Sequence, residues 1–103
     1  MDIQQLTQAM DEFVTSKGWY QPTSPRPQTC RNIAISLCLE SAEVLELFQW
    51  QDELPDNDEL KGELADTALY LLQLARLANI NLESAILEKL AQNYNRRWEQ
   101  NPE

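Results

Sequence analysis

The stretch LADTALYLLQLARLA, residues 64–78, is built mainly from Leu and Ala, which are strong helix formers, and it contains neither Gly nor Pro. On a helix these residues leave almost no polar side. Such a helix has to be covered all round, and the rest of a 103-residue chain offers too little surface to cover it. We therefore predict that a second copy of the chain packs against it in a homo-oligomer.

The sequence around this stretch predicts four helices, at about residues 2–17, 29–51, 56–78 and 81–98. Gly18 ends the first helix, and a proline-rich loop at residues 19–29 follows it. Asp56 and Glu59 have the spacing of a capping box at the start of the third helix. The short connections predict antiparallel neighbours, so residues 1–103 are expected to form a single all-α domain, a four-helix protomer.

Charge and composition exclude several classes of function. The net charge is −9, which argues against nucleic-acid polymers and anionic membranes as partners. The chain has no His, which removes His-based zinc sites and Ser-His or Cys-His catalysis. An anionic small molecule stays possible if a metal ion accompanies it.

The sequence also bears on the cellular compartment of the protein. The start, MDIQQLTQ, is acidic and polar, unlike a signal peptide, and no apolar run is long enough to cross a membrane. Cys30 and Cys38 lack the spacing of a zinc or redox site, and we expect them to be free, buried thiols. These features predict a cytoplasmic protein.

Two of the predicted helices each carry a narrow acidic stripe. On the second helix, three glutamates spaced three residues apart fall within an arc of roughly 120°; they are Glu40, Glu43 and Glu46. Ser36 and Trp50 fall within the same arc. On the third helix a similar set falls within roughly 80°; it consists of Glu63, Asp66, Tyr70 and Gln73.

Like charges at this spacing destabilise a helix unless they are protonated, paired or bound to a cation. The basic residues of the first three helices do not fall on either stripe. A hard divalent cation with oxygen ligands is the natural partner, and Mg²⁺ in particular combines a few carboxylates with the phosphates of a substrate. The alternative interpretation is an ordinary solvated face.

The motifs together resemble a known family. Glu40-x-x-Glu43, ELFQW at residues 46–50, Glu63-Leu-Ala-Asp66 with Tyr70, and Lys89-x-x-x-Asn93 are similar to the MazG-like all-α nucleoside triphosphate pyrophosphohydrolases, especially the small single-domain dCTP pyrophosphatase type. The resemblance runs from about Leu6 to Trp98. It implies the all-α NTP pyrophosphatase fold, assembled as a dimer or tetramer.

The resemblance also implies a reaction and a site. The reaction is hydrolysis of a (deoxy)nucleoside triphosphate to the monophosphate and pyrophosphate with Mg²⁺, or with Mn²⁺ as the alternative ion, and it removes unwanted nucleotides; dCTP or another pyrimidine dNTP is the favoured substrate. The implied metal ligands are Glu40, Glu43, Glu63 and Asp66. Tyr70, Lys89 and Asn93 are expected to contact phosphates or sugar, and Trp50 to form a wall of the base pocket.

Other roles follow from the residues themselves. Glu43 or Glu46 could act as the catalytic base. Arg97 continues the polar side of Lys89 and Asn93, although complementing the helix dipole would also explain an arginine there.

Trp19, at the entrance of the proline-rich loop, could stack on a base or simply pack against the core, whereas packing is favoured for neighbouring Tyr20.

The sequence departs from the family pattern at three places. Met10 stands where some dCTP-type members have His, Ala42 where Gly is frequent, and the loop before Arg31 is longer. Base selection therefore stays open, and a dUTPase-like preference is possible. From another class, a non-catalytic helical oligomerisation or partner-binding module is the alternative.

Overall fold

The computed structural model of the chain describes residues 1–96, and within that range it contains four α-helices and no β-strand. They are α1 (Ile3–Ser16), α2 (Cys30–Glu46), α3 (Asn57–Leu77) and α4 (Leu82–Asn95). The predicted all-α fold with four helices is confirmed. Trp98, near which the fourth helix was predicted to end, lies outside the described residues.

Capping side chains begin all four helices. The Asp2 carboxylate accepts a hydrogen bond from the Gln5 amide in a complete capping box, and the remaining caps are Thr29, Asp56 and Asn81. Asp56 Oδ1 accepts from the Asp58 amide at 2.8 Å, so the cap is present without the capping box predicted from Glu59. Gly18 follows α1 with φ +76°, a left-handed conformation that glycine adopts without strain.

The second helix is shorter than predicted. It ends at Glu46, because the next residues change to three-residue hydrogen bonds, such as Phe48 N–H to the Leu45 carbonyl at 3.0 Å. Trp50 then adopts φ +76° and is 93% exposed. The prediction that Trp50 continues the stripe of glutamates on α2 is therefore wrong.

Helix α3 is the centre of the protomer. It packs along α2 and also contacts α1, whereas α4 makes its main helix contact with α1. Met10, Val14 and Leu72 form the buried cluster between α1 and α3, and Trp19 and Tyr20 pack against its edge. None of the residues of α4 is buried, so this helix adds little to the core of a single protomer.

A single protomer leaves much apolar surface uncovered. Its radius of gyration is 16.7 Å, compared with about 13 Å for a compact domain of 100 residues. Leucines are exposed on all four helices, among them Leu6, Leu39, Leu64 and Leu87. The covering of α3 predicted from its apolar sequence is thus not completed within the protomer.

Two other expectations concern the surface. The prediction of buried thiols is wrong for the protomer, because Cys30 and Cys38 are both exposed on α2. Cys30 is the first residue of α2, and Cys38 lies five positions after the buried Ile33, roughly 140° around the helix from it. Among the described residues, no helix is long and apolar enough to span a membrane.

Candidate active site

The two acidic stripes meet where α2 packs along α3. Carboxylate oxygens of Glu40, Glu43 and Glu63 all lie within 4.8 Å of one another. The i, i+3 spacing places Glu40 and Glu43 on one side of α2, and the packing of the two helices brings Glu63 opposite them. We call these three residues the carboxylate cluster.

Two oxygens of the cluster have no hydrogen-bond partner. Glu40 Oε1 and Glu63 Oε1 are both inaccessible to solvent and unpaired in the part of the chain that the structure describes. Buried polar atoms in native proteins are rarely left without a partner, so an orphaned pair at one place points to a missing donor or cation.

The electrostatics of the cluster agree with its geometry. The close Glu63 carboxyl raises the pKa of Glu43 above its usual value, with a smaller contribution from Glu46 and Asp66. Desolvation is the largest cause that raises the pKa of Glu63, followed by its contact with Glu40. Glu43 and Glu63 therefore resist ionisation next to their neighbours, and a bound cation would relieve this repulsion.

The donor set fits a hard divalent cation. Ionised carboxylates only accept, and two of the cluster's oxygens already lack other partners. Mg²⁺ binds through few carboxylates and leaves coordination positions for water and phosphate oxygens. Three converging glutamates at the side of an open cleft suit that preference.

An apolar cleft lies directly beside the cluster, and we call it the α1–α3 cleft. Its volume is about 490 Å³, within the usual range for small-molecule sites. Glu40 and Asp66 stand at its acidic end, and its apolar walls come from α1, α3 and the loop entrance: Met10, Phe13, Trp19, Leu69 and Tyr70.

A second cleft of about 430 Å³ shares part of its lining with the α1–α3 cleft, and we call it the loop cleft. Trp19, Tyr70 and Gln73 line both clefts. The proline-rich loop and the first turns of α2 complete the loop cleft, through Arg26, Gln28 and Asn32 among others. The two clefts therefore share one wall, which the loop helps to hold.

Comparison with known proteins identifies the family. Residues 35–102, more than half of the chain, match the sequence model of the MazG-like family. The chain belongs to the MazG-like family. Its relatives include dCTP pyrophosphatase 1 of Bos taurus, 34% identical over 94 residues that cover 82% of this chain and 53% of that protein.

Further relatives agree with this assignment. Mouse dCTP pyrophosphatase 1 is 30% identical, with 82% of this chain and 52% of that protein covered. This MazG-like chain thus spans about half the length of the curated relatives it matches. A crystal structure of a pyrophosphatase from Archaeoglobus fulgidus superposes with a TM-score of 0.71 and 31% identity, covering 97% of this chain and 92% of that one.

The structure brings the predicted carboxylates together to different degrees. Glu40, Glu43 and Glu63 form the cluster, whereas Asp66 is exposed beside it and lines the α1–α3 cleft with Glu40. Glu46, the last residue of α2, lies close enough to raise the pKa of Glu43. The predicted metal and catalytic sets thus occupy one neighbourhood.

The predicted aromatic contacts divide into two groups. Trp19 and Tyr70 line the α1–α3 cleft, and the Trp19 ring also packs edge-on against Phe13, with 5.6 Å between ring centroids. Tyr20 packs against the core, as favoured from the sequence. Trp50 is not part of either cleft lining, because the turn after α2 carries it into solvent.

The predicted contacts from the fourth helix are not assembled within the described protomer. Lys89 is exposed and Asn93 half-buried on α4, and neither belongs to the lining of the two clefts. Helix α4 contacts mainly α1, not the α2–α3 pair that carries the cluster. Arg97 lies outside the described residues.

The sequence reasoning missed several residues of the two clefts. Met10 and Phe13 fall on the apolar side of the first helix by helical spacing, and that spacing does not distinguish a cleft wall from a core contact. Gln28 was not singled out, because a glutamine in a proline-rich loop carries no motif. Its partner Gln73 was placed on the polar stripe of the third helix, but helical spacing does not identify the loop residue that it contacts.

Proposed function

We propose that this MazG-like chain hydrolyses a (deoxy)nucleoside triphosphate to the nucleoside monophosphate and pyrophosphate, with a divalent metal ion, Mg²⁺ in particular. The observation that carries the proposal is the carboxylate cluster. Its three carboxylates converge within 4.8 Å, two of their oxygens have no partner, and a cleft of nucleotide size opens beside them. Membership of the MazG-like family and the names of its relatives support the same reaction.

Glu40, Glu43 and Glu63 would hold the metal, and Asp66 could join them by a change of rotamer because it is exposed beside them. When bound, the ion neutralises the carboxylates and the phosphate oxygens and draws them together. Phosphoryl transfer depends mainly on such positioning and charge neutralisation, so a site without His is sufficient.

A carboxylate of the second helix would activate the attacking water. Glu43 or Glu46 accepts a proton from the water as the oxygen attacks the α-phosphorus, and pyrophosphate leaves from the opposite side. Glu43 is the better placed, because it belongs to the carboxylate cluster, whereas Glu46 is the last residue of α2 and lies beside the cluster. Glu46 is the alternative base.

The base of the nucleotide would occupy the α1–α3 cleft, with Trp19 and Tyr70 against it. Stacking of a base on an aromatic side chain contributes about 1–3 kcal/mol. We favour dCTP or another pyrimidine deoxynucleotide, since the relatives named above are dCTP pyrophosphatases. A role in clearing unwanted nucleotides from the cytoplasm follows from such a reaction.

We further propose that the chain works as a homo-oligomer, a dimer or tetramer. The exposed leucines of α2, α3 and α4 and the extended shape of the protomer support this assembly. A second copy that covers α4 would also fix the orientation of Lys89 and Asn93, the proposed phosphate contacts, and of Arg97. Light scattering coupled to size-exclusion chromatography measures the number of copies.

The deciding experiment is pyrophosphate release from the eight common (d)NTPs and dUTP, in Mg²⁺, in Mn²⁺ and in EDTA. We expect metal-dependent release, with pyrimidine deoxynucleotides ranked first, and loss of release in Glu43→Gln. Glu12→Gln, an exposed glutamate of α1, is the matched control and should keep wild-type activity.

Two results would contradict the proposal. Release that survives EDTA and Glu43→Gln would place the reaction elsewhere on the chain. A purified oligomer that hydrolyses none of the nucleotides, and whose melting temperature Mg²⁺ does not change, would support a non-catalytic oligomerisation or partner-binding module instead.

A further inference from the structure

Gln73 is the one buried polar residue among residues 1–96, and it lies ten residues after Glu63 on α3. It is 3% exposed, and its Nε2 donates a hydrogen bond to Gln28 Oε1 at 2.7 Å. The same amide nitrogen lies 3.5 Å from the Tyr20 hydroxyl, which accepts its second hydrogen. A buried amide therefore joins α3 to two points of the segment between α1 and α2.

The partner residues are themselves held in place. Gln28 Nε2 donates to the Arg26 carbonyl at 2.8 Å, so both ends of the Gln28 amide are engaged. Asn32 Nδ2, in the first turn of α2, donates to the Pro27 carbonyl at 2.9 Å. The loop is thus ordered internally, and Gln73 joins this ordered unit to α3.

Tyr20 extends the set to α1. Its hydroxyl donates to Asp11 Oδ1 at 2.9 Å while it accepts from Gln73. The three residues Gln73, Gln28 and Tyr20, which we call the loop latch, therefore connect α1, the loop and α3 through matched donors and acceptors.

The position of the loop latch relates it to the proposed nucleotide site. Gln73 lines both clefts together with Trp19 and Tyr70, and Gln28 lines the loop cleft. Trp19 directly precedes Tyr20, so the hydroxyl that Gln73 binds limits how far the Trp19 ring can move. The wall between the clefts thus depends on hydrogen bonds that lie outside the carboxylate cluster.

We propose that Gln73 is a positioning residue of the nucleotide cleft. Through Gln28 and Tyr20 it fixes the proline-rich loop, and with it the face that Trp19 presents to the base. This inference rests on the proposed function, because the base is assigned to the α1–α3 cleft. It predicts that the loop latch controls KM and the ranking of bases, while kcat follows the carboxylates.

The test uses Gln73→Met, which removes the hydrogen bonds and keeps the volume of the side chain, and Gln28→Met, which removes the partner in the loop. Gln21→Ala, an exposed glutamine of the same loop, is the matched control. Both latch variants should raise KM for the best nucleotide about three- to tenfold, the equivalent of one lost hydrogen bond, and change kcat less than twofold. The ratio of kcat/KM between preferred and poor bases should fall.

A double-mutant cycle and hydrogen exchange complete the test. If both residues act through one bond, Gln73→Met with Gln28→Met should raise KM no further than either change alone. The backbone amides of Ser24, Arg26 and Asn32, which are hydrogen-bonded within this segment, should exchange faster in Gln73→Met than in the wild type or in Gln21→Ala.

The outcomes separate this proposal from the proposed function. Unchanged exchange in the loop would overturn the loop latch whether or not the chain is an enzyme. Faster exchange with unchanged KM and base ranking would overturn its coupling to the nucleotide cleft. If the wild-type chain hydrolyses no nucleotide, the proposed function is wrong, and so is the role in nucleotide binding assigned to Gln73. Gln28→Met keeps the test available if Gln73→Met does not fold.

Discussion

The two ends of the polar stripe on α3 differ in how their polar groups are satisfied. Glu63 and Gln73 are ten residues apart on the same side of one helix, about 15 Å along its axis. At Gln73, amide and hydroxyl donors meet acceptors at every step, from Asp11 through Tyr20 to Gln28. At Glu63, three acceptor-only carboxylates converge, and no donor from the described residues reaches two of their oxygens.

This difference separates a structural network from a ligand site. A buried network whose members are all satisfied rigidifies the fold, and a ligand that displaced any of its bonds would have to replace them. A buried cluster of acceptors without donors destabilises the fold, and a bound cation lowers the free energy of the cluster. The same helix thus carries a hydrogen-bonded network at Gln73 and a cluster of excess negative charge at Glu63.

The largest expected effect is on catalysis. Glu63→Gln should lower kcat by about 100-fold or more, because it removes a negative oxygen from the proposed metal site. Gln73→Met, at the other end of the stripe, should leave kcat within about twofold. Steady-state kinetics with the preferred nucleotide in saturating Mg²⁺ measures both. Equal losses of kcat in the two variants would remove the distinction between the two ends of α3.

Metal should stabilise the folded chain through the cluster. At a Mg²⁺ concentration 100 times its dissociation constant, the free energy of unfolding should rise by about 2.7 kcal/mol relative to EDTA. Glu40→Gln should remove most of this gain, and Glu12→Gln should keep it. Denaturant titration at one protein concentration provides the measurement, since assembly also affects stability. A gain that persists in Glu40→Gln would locate the metal elsewhere.

Helical periodicity was sufficient for the helices and for the stripes, but not for the tertiary contacts. Asp2, Asp56 and Asn81 are residue types that favour helix N-termini, and each caps its helix; Asp66, Tyr70 and Gln73 of the predicted polar stripe line one cleft. The early end of α2 did not follow, because the residues after Glu46 are as apolar as a continuing helix and only their backbone bonds differ.

Tertiary pairing in the site was harder to predict. That Glu40 and Glu43 face Glu63 depends on which sides of α2 and α3 pack together, and the sequence only made it plausible. The contact of Gln28 with Gln73 joins residues 45 positions apart, through a loop with no periodicity. The position of α4 was not predicted either, because none of its residues is buried and its main helix contact is with α1.

A smaller effect is expected from the hydroxyl of Tyr20. Tyr20→Phe should lower the free energy of unfolding by about 1 kcal/mol, because it removes the bond to Asp11 and leaves a half-buried acceptor without that donor. Tyr94→Phe, on the exposed side of α4, is the control and should change stability by less than about 0.5 kcal/mol. Urea denaturation monitored by circular dichroism measures both. A Tyr20→Phe chain as stable as the wild type would mean that the loop latch contributes nothing to rigidity.

The smallest expected effect is a pH dependence in EDTA, which isolates the charge repulsion of the cluster. Glu43 and Glu63 have pKa values raised above the ordinary 4.5, so between 4.5 and those raised values the folded chain binds more protons than the unfolded chain. Their contribution to stability is therefore complete below pH 4.5 and is lost as the pH rises through the raised pKa values.

The comparison that reveals this contribution is wild type against Glu63→Gln, because the other carboxylates titrate in both chains. As the pH falls from 7 towards 4.5, the wild type should gain stability relative to Glu63→Gln, and saturating Mg²⁺ should abolish that gain by holding the carboxylates ionised. Urea midpoints measured across the pH range give the difference directly. A wild type that loses stability relative to Glu63→Gln on acidification would mean that the cluster is already neutralised by donors within the chain, and that its two orphaned oxygens need no cation.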